Sequence, residues 1–326
     1  MIRARITGTG SCIPEKVLTN KEIEEFVDTS DDWIVARTGI RERRIAAPEQ
    51  NTSDLALEAS RQALEMAGVA PEELDLIVVG TITGDFPWPA TACLVQAALG
   101  ADRAFAYDVS AACSGFVYSL DAAAAKIATG SVKKALVVGA EILSRAIDWK
   151  DRNTCVLFGD GAGAVVLEAS EDDSGILSTH LHSDGNYWEL LYQPGFGSRI
   201  PPSEQGLADR VPYLKMQGNE VFKVAVRSLT DVSKEALEAN NLQVDDLSLF
   251  IPHQANIRIL EATAKRLKLK EEQVYINVDR FGNTSAATIP MALDEVHRAG
   301  GLKKGDLLLF AAFGGGFTWG SVLIRW

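Results

Sequence analysis

The chemistry available to this chain is concentrated in a few short stretches. Cys113 sits in Asp108-Val109-Ser110-Ala111-Ala112-Cys113-Ser114-Gly115-Phe116, between a run that reads as a strand ending near Val109 and an alanine-rich helical run beginning near Ser114. A thiol at such a junction meets unpaired amides and the positive end of the helix dipole, which favour a nucleophilic thiolate. His253 lies in Ile251-Pro252-His253-Gln254-Ala255-Asn256, and Asn283 lies in Arg280-Phe281-Gly282-Asn283-Thr284-Ser285-Ala286-Ala287. Both also stand where a strand gives way to a turn and a helix. Gly314-Gly315-Gly316 follows a buried-strand pattern, and glycines there let backbone amides approach a substrate oxygen, as an oxyanion hole requires. All of these residues fall at C-terminal strand ends, where α/β sheets build their sites.

Taken singly, each has an ordinary explanation. Cys113 fits a buried structural thiol, His253 a core or capping histidine, and Asn283 a helix cap with Thr284 or Ser285. Their convergence raises them above that background. Cys12, Cys93 and Cys155 are read as core residues, and no two cysteines have zinc-ribbon spacing. His180 and His182 share a strand face without a third ligand at a usual spacing, so no metal site is expected. His297 falls on an amphipathic helix and is expected in solvent. The glycine runs match neither a phosphate loop nor a dinucleotide fingerprint.

The elements that must position these residues follow from hydropathy. Runs such as Leu76-Ile77-Val78-Val79, Ala135-Leu136-Val137-Val138 and Leu307-Leu308-Leu309-Phe310 read as strands buried on both faces. Helical patterns lie between them, among them Ser53 to Ala67 (capped by Thr52 or Ser53, stopped by Gly68) and Ser114 to Thr129 (stopped by Gly130). Several motifs recur at a shift near half the chain length. Leu74-Asp75-Leu76-Ile77-Val78 returns as Leu247-Ser248-Leu249-Phe250-Ile251, Tyr107-Asp108-Val109 as Ile276-Asn277-Val278, and Lys133-Lys134 as Lys303-Lys304. The spacing predicts two similar halves, 1–172 carrying Cys113 and 173–326 carrying His253 and Asn283. Gln193 to Pro212, rich in proline and glycine, reads as a long surface loop.

With 326 residues, 47% hydrophobic and 23% charged, the chain can bury a large core and is no disordered protein. A net charge of -12 argues against nucleic acid as a partner. No apolar run reaches the roughly 18 residues that span a bilayer. The opening Met1 to Ile6 lacks the apolar core of a secretory leader, so a cytoplasmic protein is expected.

The Cys113 context, Pro252-His253-Gln254-Ala255-Asn256, Gly282-Asn283-Thr284-Ser285-Ala286-Ala287 and Phe313-Gly314-Gly315-Gly316-Phe317-Thr318-Trp319-Gly320 together resemble one family. With Asp31-Asp32-Trp33-Ile34 and Arg37-Thr38-Gly39-Ile40, the chain looks like β-ketoacyl-acyl carrier protein synthase III over essentially its whole length. The resemblance implies a thiolase-like α/β fold, two duplicated halves forming a five-layered αβαβα core, in a homodimer. It implies Cys113, His253 and Asn283 as catalytic residues and the amides of Cys113 and Gly315 as the oxyanion hole. Thiolases have a second catalytic cysteine in the place of Asn283, and the elongating synthases a second histidine. The implied reaction is a decarboxylative Claisen condensation of a short acyl-coenzyme A with malonyl-acyl carrier protein. It needs no metal or redox cofactor, coenzyme A being part of a substrate. Trp33, Arg37 and Arg152 fall at family positions around coenzyme A. Gln254, Arg258, Lys223 and Lys265 are assigned to the carrier protein, which is acidic and needs a local basic face.

There are departures from the family. Trp88 stands where the family often has phenylalanine in the primer pocket, and its bulk suggests a short primer such as acetyl. The Gln193 to Pro212 loop is longer than expected. A related ketosynthase or acyltransferase of secondary metabolism, using another primer or acceptor, is the alternative reading. A catalytically silent partner subunit would lack the nucleophile, which this chain retains.

Overall fold

The computed structural model describes residues 2–326. Its frame is a pair of sheets. The first is 5-stranded, in the order Arg3–Cys12, Asp160–Ser170, Lys134–Ile142, Leu76–Gly80, Phe105–Val109. The second is 4-stranded, in the order Gly175–Ser183, Thr318–Arg325, Leu307–Gly314, Leu249–Pro252. Read in these orders, both sheets run antiparallel, antiparallel, then parallel. A parallel bridge between Phe250 and Val274 stands where Phe105–Val109 completes the first sheet. The recurring motifs thus reflect a duplicated topology.

Alternate residues of the central strands point into different cores. Leu76 and Val78 join Leu308 and Phe310 in the core between the sheets. Ile77 and Val79 pack on the far side of the first sheet, and Leu309 and Ala311 on the far side of the second. A strand buried on both faces shows this period of two with no polar partner, which is why these runs are continuously apolar. Helices Gly115–Ala128 and Thr288–Arg298 supply Val117, Leu120, Ile289 and Leu293 to the central core. Thr52–Ala67 covers the first sheet, and Gly218–Ala239 with Ile257–Leu267 covers the second. The result is a five-layered αβαβα arrangement. Among the described residues no helix is long and apolar enough to cross a membrane.

Several local readings change. The helix predicted to be capped by Thr52 or Ser53 is capped by Asn51, whose amide donates to Asp54 at 2.8 Å. Thr52 is used elsewhere, its hydroxyl donating to the Thr83 carbonyl at 2.5 Å. The predicted stop at Gly68 holds, with φ 65°. His297 is half-buried rather than solvated: its Nδ1 lies 3.0 Å from Thr9 Oγ1 and its ring packs edge-on against Trp326. Cys155 is buried, but Cys12 and Cys93 are only half-buried. The 193–212 loop contains a short helix, Glu204–Ala208, and is tied back by the Arg210–Asp148 ion pair.

The two central helices approach the first sheet through strand glycines. A Cβ built on Gly139 would lie 2.2 Å from the Ala286 carbonyl oxygen, a contact no side chain tolerates. Gly139→Ala must push apart the Asn283-bearing turn and the sheet. We expect a loss of about 2 kcal/mol or more in urea unfolding. Unchanged stability would contradict this packing.

Candidate active site

Cys113 lies in a 3-10 turn, Ala112–Ser114, between strand Phe105–Val109 and helix Gly115–Ala128. The matching turn in the second half is Ser285–Ala287, ahead of Thr288–Arg298. Each turn begins with a residue in the left-handed region, Ala112 at φ 46° and Ser285 at φ 50°. This equivalence aligns Cys113 with Ala286, and Asn283 lies just ahead of the matching turn. Both turns face a cavity of about 630 Å³ whose lining includes Cys113, His253, Asn283, Ser285, Phe313 and Gly315. The glycine run passes close to the nucleophile, since a Cβ on Gly314 would fall 2.6 Å from the Cys113 amide nitrogen.

The polar side chains are oriented from behind. Asn283 is fixed by a parallel bridge to Phe158, and its Oδ1 accepts the Ser285 amide at 2.8 Å. That bond leaves the Asn283 NH₂ group for the cavity. His253 Nδ1 lies 2.8 Å from Thr288 Oγ1, which itself reaches the Ser285 carbonyl at 3.0 Å. The other ring nitrogen, Nε2, is therefore the one left for a ligand. Sequence reasoning offered Ser285 only as a helix cap and passed over Thr288, although Ser285 stands in the Asn283 motif and Thr288 directly follows it.

Burial decides the resting charges. It pushes the Cys113 thiol up to about 12, against the opposing pull of the Ser285 hydroxyl. The expected resting thiolate is therefore replaced by a thiol, because desolvation outweighs the helix-end amides. Burial also holds His253 down to about 3, so its imidazole is neutral. Among the described residues no group of His, Cys, Asp and Glu is arranged to hold a metal ion. His180 and His182 instead share one carboxylate, Glu235.

Toward the mouth, helix Asp31–Thr38 presents Trp33 and Arg37 together, as their spacing predicted. Two guanidinium groups lie over the indole, Arg37 at 4.6 Å and Arg152 at 4.8 Å from its centroid. Arg258 and Lys223 also line the cavity, with Arg258 over the Phe222 ring and Lys223 paired with Glu220. Lys265 lies further along the same helix, exposed and away from the cavity.

Two assignments do not survive as stated. Gln254 is 1% exposed, with its amide donating to the Pro252 and Tyr275 carbonyls and its oxygen accepting from Asn277. It braces the turn after His253 and presents nothing to a docking protein. Trp88 is 84% exposed and lies outside the cavity of its own chain. It sits in an irregular segment between Leu76–Gly80 and Thr91–Leu99, where flanking prolines offer no amide to hold it inward.

A duplicated five-layered fold with cysteine, histidine and asparagine in one cavity between its halves defines a condensing enzyme of the thiolase fold. The models 3-Oxoacyl-[acyl-carrier-protein (ACP)] synthase III and its C-terminal counterpart match residues 107–185 and 237–326. The chain is 58% identical to a Beta-ketoacyl-[acyl-carrier-protein] synthase III of Xanthomonas campestris pv. campestris, covering 100% of this chain and 99% of that protein. The crystal structure of 3-oxoacyl-[acyl-carrier-protein] synthase III from Aquifex aeolicus VF5 superposes with a TM-score of 0.93 at 50% identity, over 99% of this chain and 100% of that one. The priming β-ketosynthase of the R1128 polyketide pathway superposes at 0.92, with 37% identity over 99% and 96% of the chains. The chain belongs to the β-ketoacyl-acyl carrier protein synthase III family. It is an acyltransferase-type condensing enzyme that initiates fatty acid synthesis.

The neutral His253 has a consequence for stability. In the unfolded chain this histidine titrates near 6.5, and in the fold near 3, so the unfolded state binds more protons between those values. His253 therefore makes stability fall as pH drops through that window. Glu141, raised by burial from 4.5 to about 7, acts in the opposite sense, its contribution declining as pH rises. Replacing His253 by Gln removes one of these opposed contributions, so between about pH 6.5 and about pH 4.5 the urea midpoint of the variant should drop less, or rise more, than that of the unsubstituted enzyme. An unchanged slope would contradict a neutral buried imidazole.

Proposed function

We propose that the enzyme condenses a short acyl-coenzyme A, with acetyl as the primer, and malonyl-acyl carrier protein, releasing coenzyme A and CO2 to give a 3-oxoacyl-acyl carrier protein. The observation that carries this is one cavity holding a thiol together with two neutral, back-braced donors. Cys113 attacks the thioester carbonyl, and the amides of Cys113 and Gly315 receive the oxyanion. Malonyl-acyl carrier protein then loses CO2. The resulting enolate oxygen accepts hydrogen bonds from the Asn283 NH₂ and from His253 Nε2, in the tautomer reached when the Thr288 hydroxyl leaves the Ser285 carbonyl and donates to Nδ1 instead. The carbon then attacks acyl-Cys113 and frees the thiolate. No step calls for a metal or redox cofactor.

Halves 1–172 and 173–326 contribute the nucleophile and the donor pair respectively. Trp33, Arg37 and Arg152 take coenzyme A at the mouth, where a purine stacks on the indole or a guanidinium plane and phosphates meet arginine. Arg258, Lys223 and Lys265 form the basic face for the carrier protein. Phe105–Val109 ends the first sheet with an unpaired edge, and Phe105, Phe86 and Trp88 are exposed. A second copy covering that edge would remove an aggregation hazard, which supports a homodimer. Trp88 belongs to that exposed apolar set, so its bulk carries no argument about primer size within one chain. The enzyme works in the cytoplasm.

Turnover of malonyl-acyl carrier protein with a panel of acyl-coenzyme A primers tests this reading, and acetyl should be preferred. Discharge only to an acceptor other than the carrier protein would favour the secondary-metabolism alternative. Arg258→Glu should slow carrier-protein turnover while sparing acyl loading; equal loss of both would remove Arg258 from the dock. Asn283→Ala should cost about 3 kcal/mol in decarboxylation, on the order of a hundredfold in rate. A loss below about threefold would remove the amide from the enolate site.

A further inference from the structure

Glu141 has no part in the steps above, yet it is a fully buried carboxyl group adjoining the nucleophile. It ends strand Lys134–Ile142 with 0% exposure. Its carboxyl oxygens accept from Ile82 N at 3.2 Å, Thr83 N at 3.1 Å, Thr83 Oγ1 at 2.5 Å and Thr81 Oγ1 at 3.3 Å. All those donors come from one segment. From the other side comes Ser285, 1% exposed and on the cavity wall. Its hydroxyl makes no aligned hydrogen bond in this structure, although it lies close enough to Glu141 and Cys113 to favour the ionised form of each. A buried hydroxyl without an aligned partner is costly. Placed between a thiol and a carboxylate, it can accept from one and donate to the other.

We propose that Ser285 and Glu141 form a proton relay behind Cys113, which stores the thiol proton while the enzyme carries its acyl group. This rests on the acyl-transfer reading above. In loading, the Cys113 sulfur forms a bond to the acyl carbon and the bond to coenzyme A sulfur breaks. The thiol proton passes to Ser285 Oγ as the Ser285 proton passes to the Glu141 carboxylate, and coenzyme A leaves as a thiolate. In condensation the carbon–carbon bond forms, the bond to Cys113 sulfur breaks, and the proton returns along the same path. The cycle therefore closes without net proton uptake by the enzyme.

His253 is poorly suited to this task, because its imidazole is held down to about 3. Glu141 is better matched: burial raises its carboxyl to about 7, near the working pH of a general base. The groups that face it are Thr81, Ile82, Thr83 and Ser285, with Cys113 as the titratable neighbour. Ser285 lies beside the reacting sulfur, and Glu141 takes up the proton through it.

Rapid-quench mass spectrometry of acetyl transfer from acetyl-coenzyme A to Cys113 tests the relay. The full-length enzyme, Glu141→Gln and Ser285→Ala would be compared from about pH 6 to about pH 9. The unsubstituted enzyme should load at a rate that levels off above about pH 7, and each variant should load about a hundredfold more slowly at that pH. The variants should also climb about tenfold per pH unit, since they depend on thiolate formed before attack. Malonyl-acyl carrier protein decarboxylation in a Cys113→Ala background needs no thiol proton and should fall less than about threefold on adding Glu141→Gln. If Glu141→Gln does not fold, Ser285→Ala decides alone. Loading by the variants at the unsubstituted rate would overturn the relay. So would slower loading with an unchanged pH profile and a matching loss of decarboxylation. Failure of the unsubstituted enzyme to form any acyl-Cys113 would instead overturn the acyl-transfer reading itself.

Discussion

Ser285 is held with φ 50°, in a region that side-chain-bearing residues enter at a cost of order 1 kcal/mol. The conformation turns its polar groups in different directions, and the site is built on them. Its amide fixes Asn283, its carbonyl engages the Thr288 hydroxyl behind His253, and its own hydroxyl lies beside Cys113 and Glu141. The turn can sit there because Gly139 has no side chain to meet the neighbouring Ala286 carbonyl. A bare strand position in one half thus positions the polar groups contributed by the other.

The duplication makes this meeting possible. Both halves carry a 3-10 turn that opens with a left-handed residue and then starts a buried helix, the first after strand Phe105–Val109 and the second after the short helix Val278–Phe281. One turn carries the thiol and the other the bracing residue, and the helices that follow fill the layer between the sheets. Chemistry that needs a nucleophile and separate oxyanion and enolate donors is therefore divided between halves of common design. Cys113, His253 and Asn283 are all buried, so a hydrogen bond from a neutral donor is worth more there than in solvent.

Much of this was legible in the sequence, because its signals are local. Continuous apolar runs such as Leu76-Ile77-Val78-Val79 announce doubly covered strands. Cys113 and His253 follow strand ends, and the Trp33 to Arg37 spacing predicts one helical face; Asn283, expected after a strand, follows the short helix Val278–Phe281 instead. The failures came where a residue's neighbours are distant in sequence. Gln254 reads as a polar surface contact until Tyr275 and Asn277 are seen to use its amide, and His297 reads as solvated until Thr9 and Trp326 close over it. Trp88 was assigned by family position, and a family position does not say whose cavity an exposed side chain serves. Glu141 gave no signal, since nothing in Gly139-Ala140-Glu141-Ile142 shows that the carboxyl lies beside a turn from the other half.

The central claim is that Cys113 carries an acyl group which the enolate, formed in the same cavity, removes. Intact-protein and peptide mass spectrometry, before and after adding malonyl-acyl carrier protein to acetyl-coenzyme A-treated enzyme, tests it most directly. The account predicts one acetyl adduct on the Cys113 peptide, lost as 3-oxobutyryl-acyl carrier protein appears. No adduct, an adduct on Cys12, Cys93 or Cys155 alone, or one that malonyl-acyl carrier protein fails to discharge would contradict it.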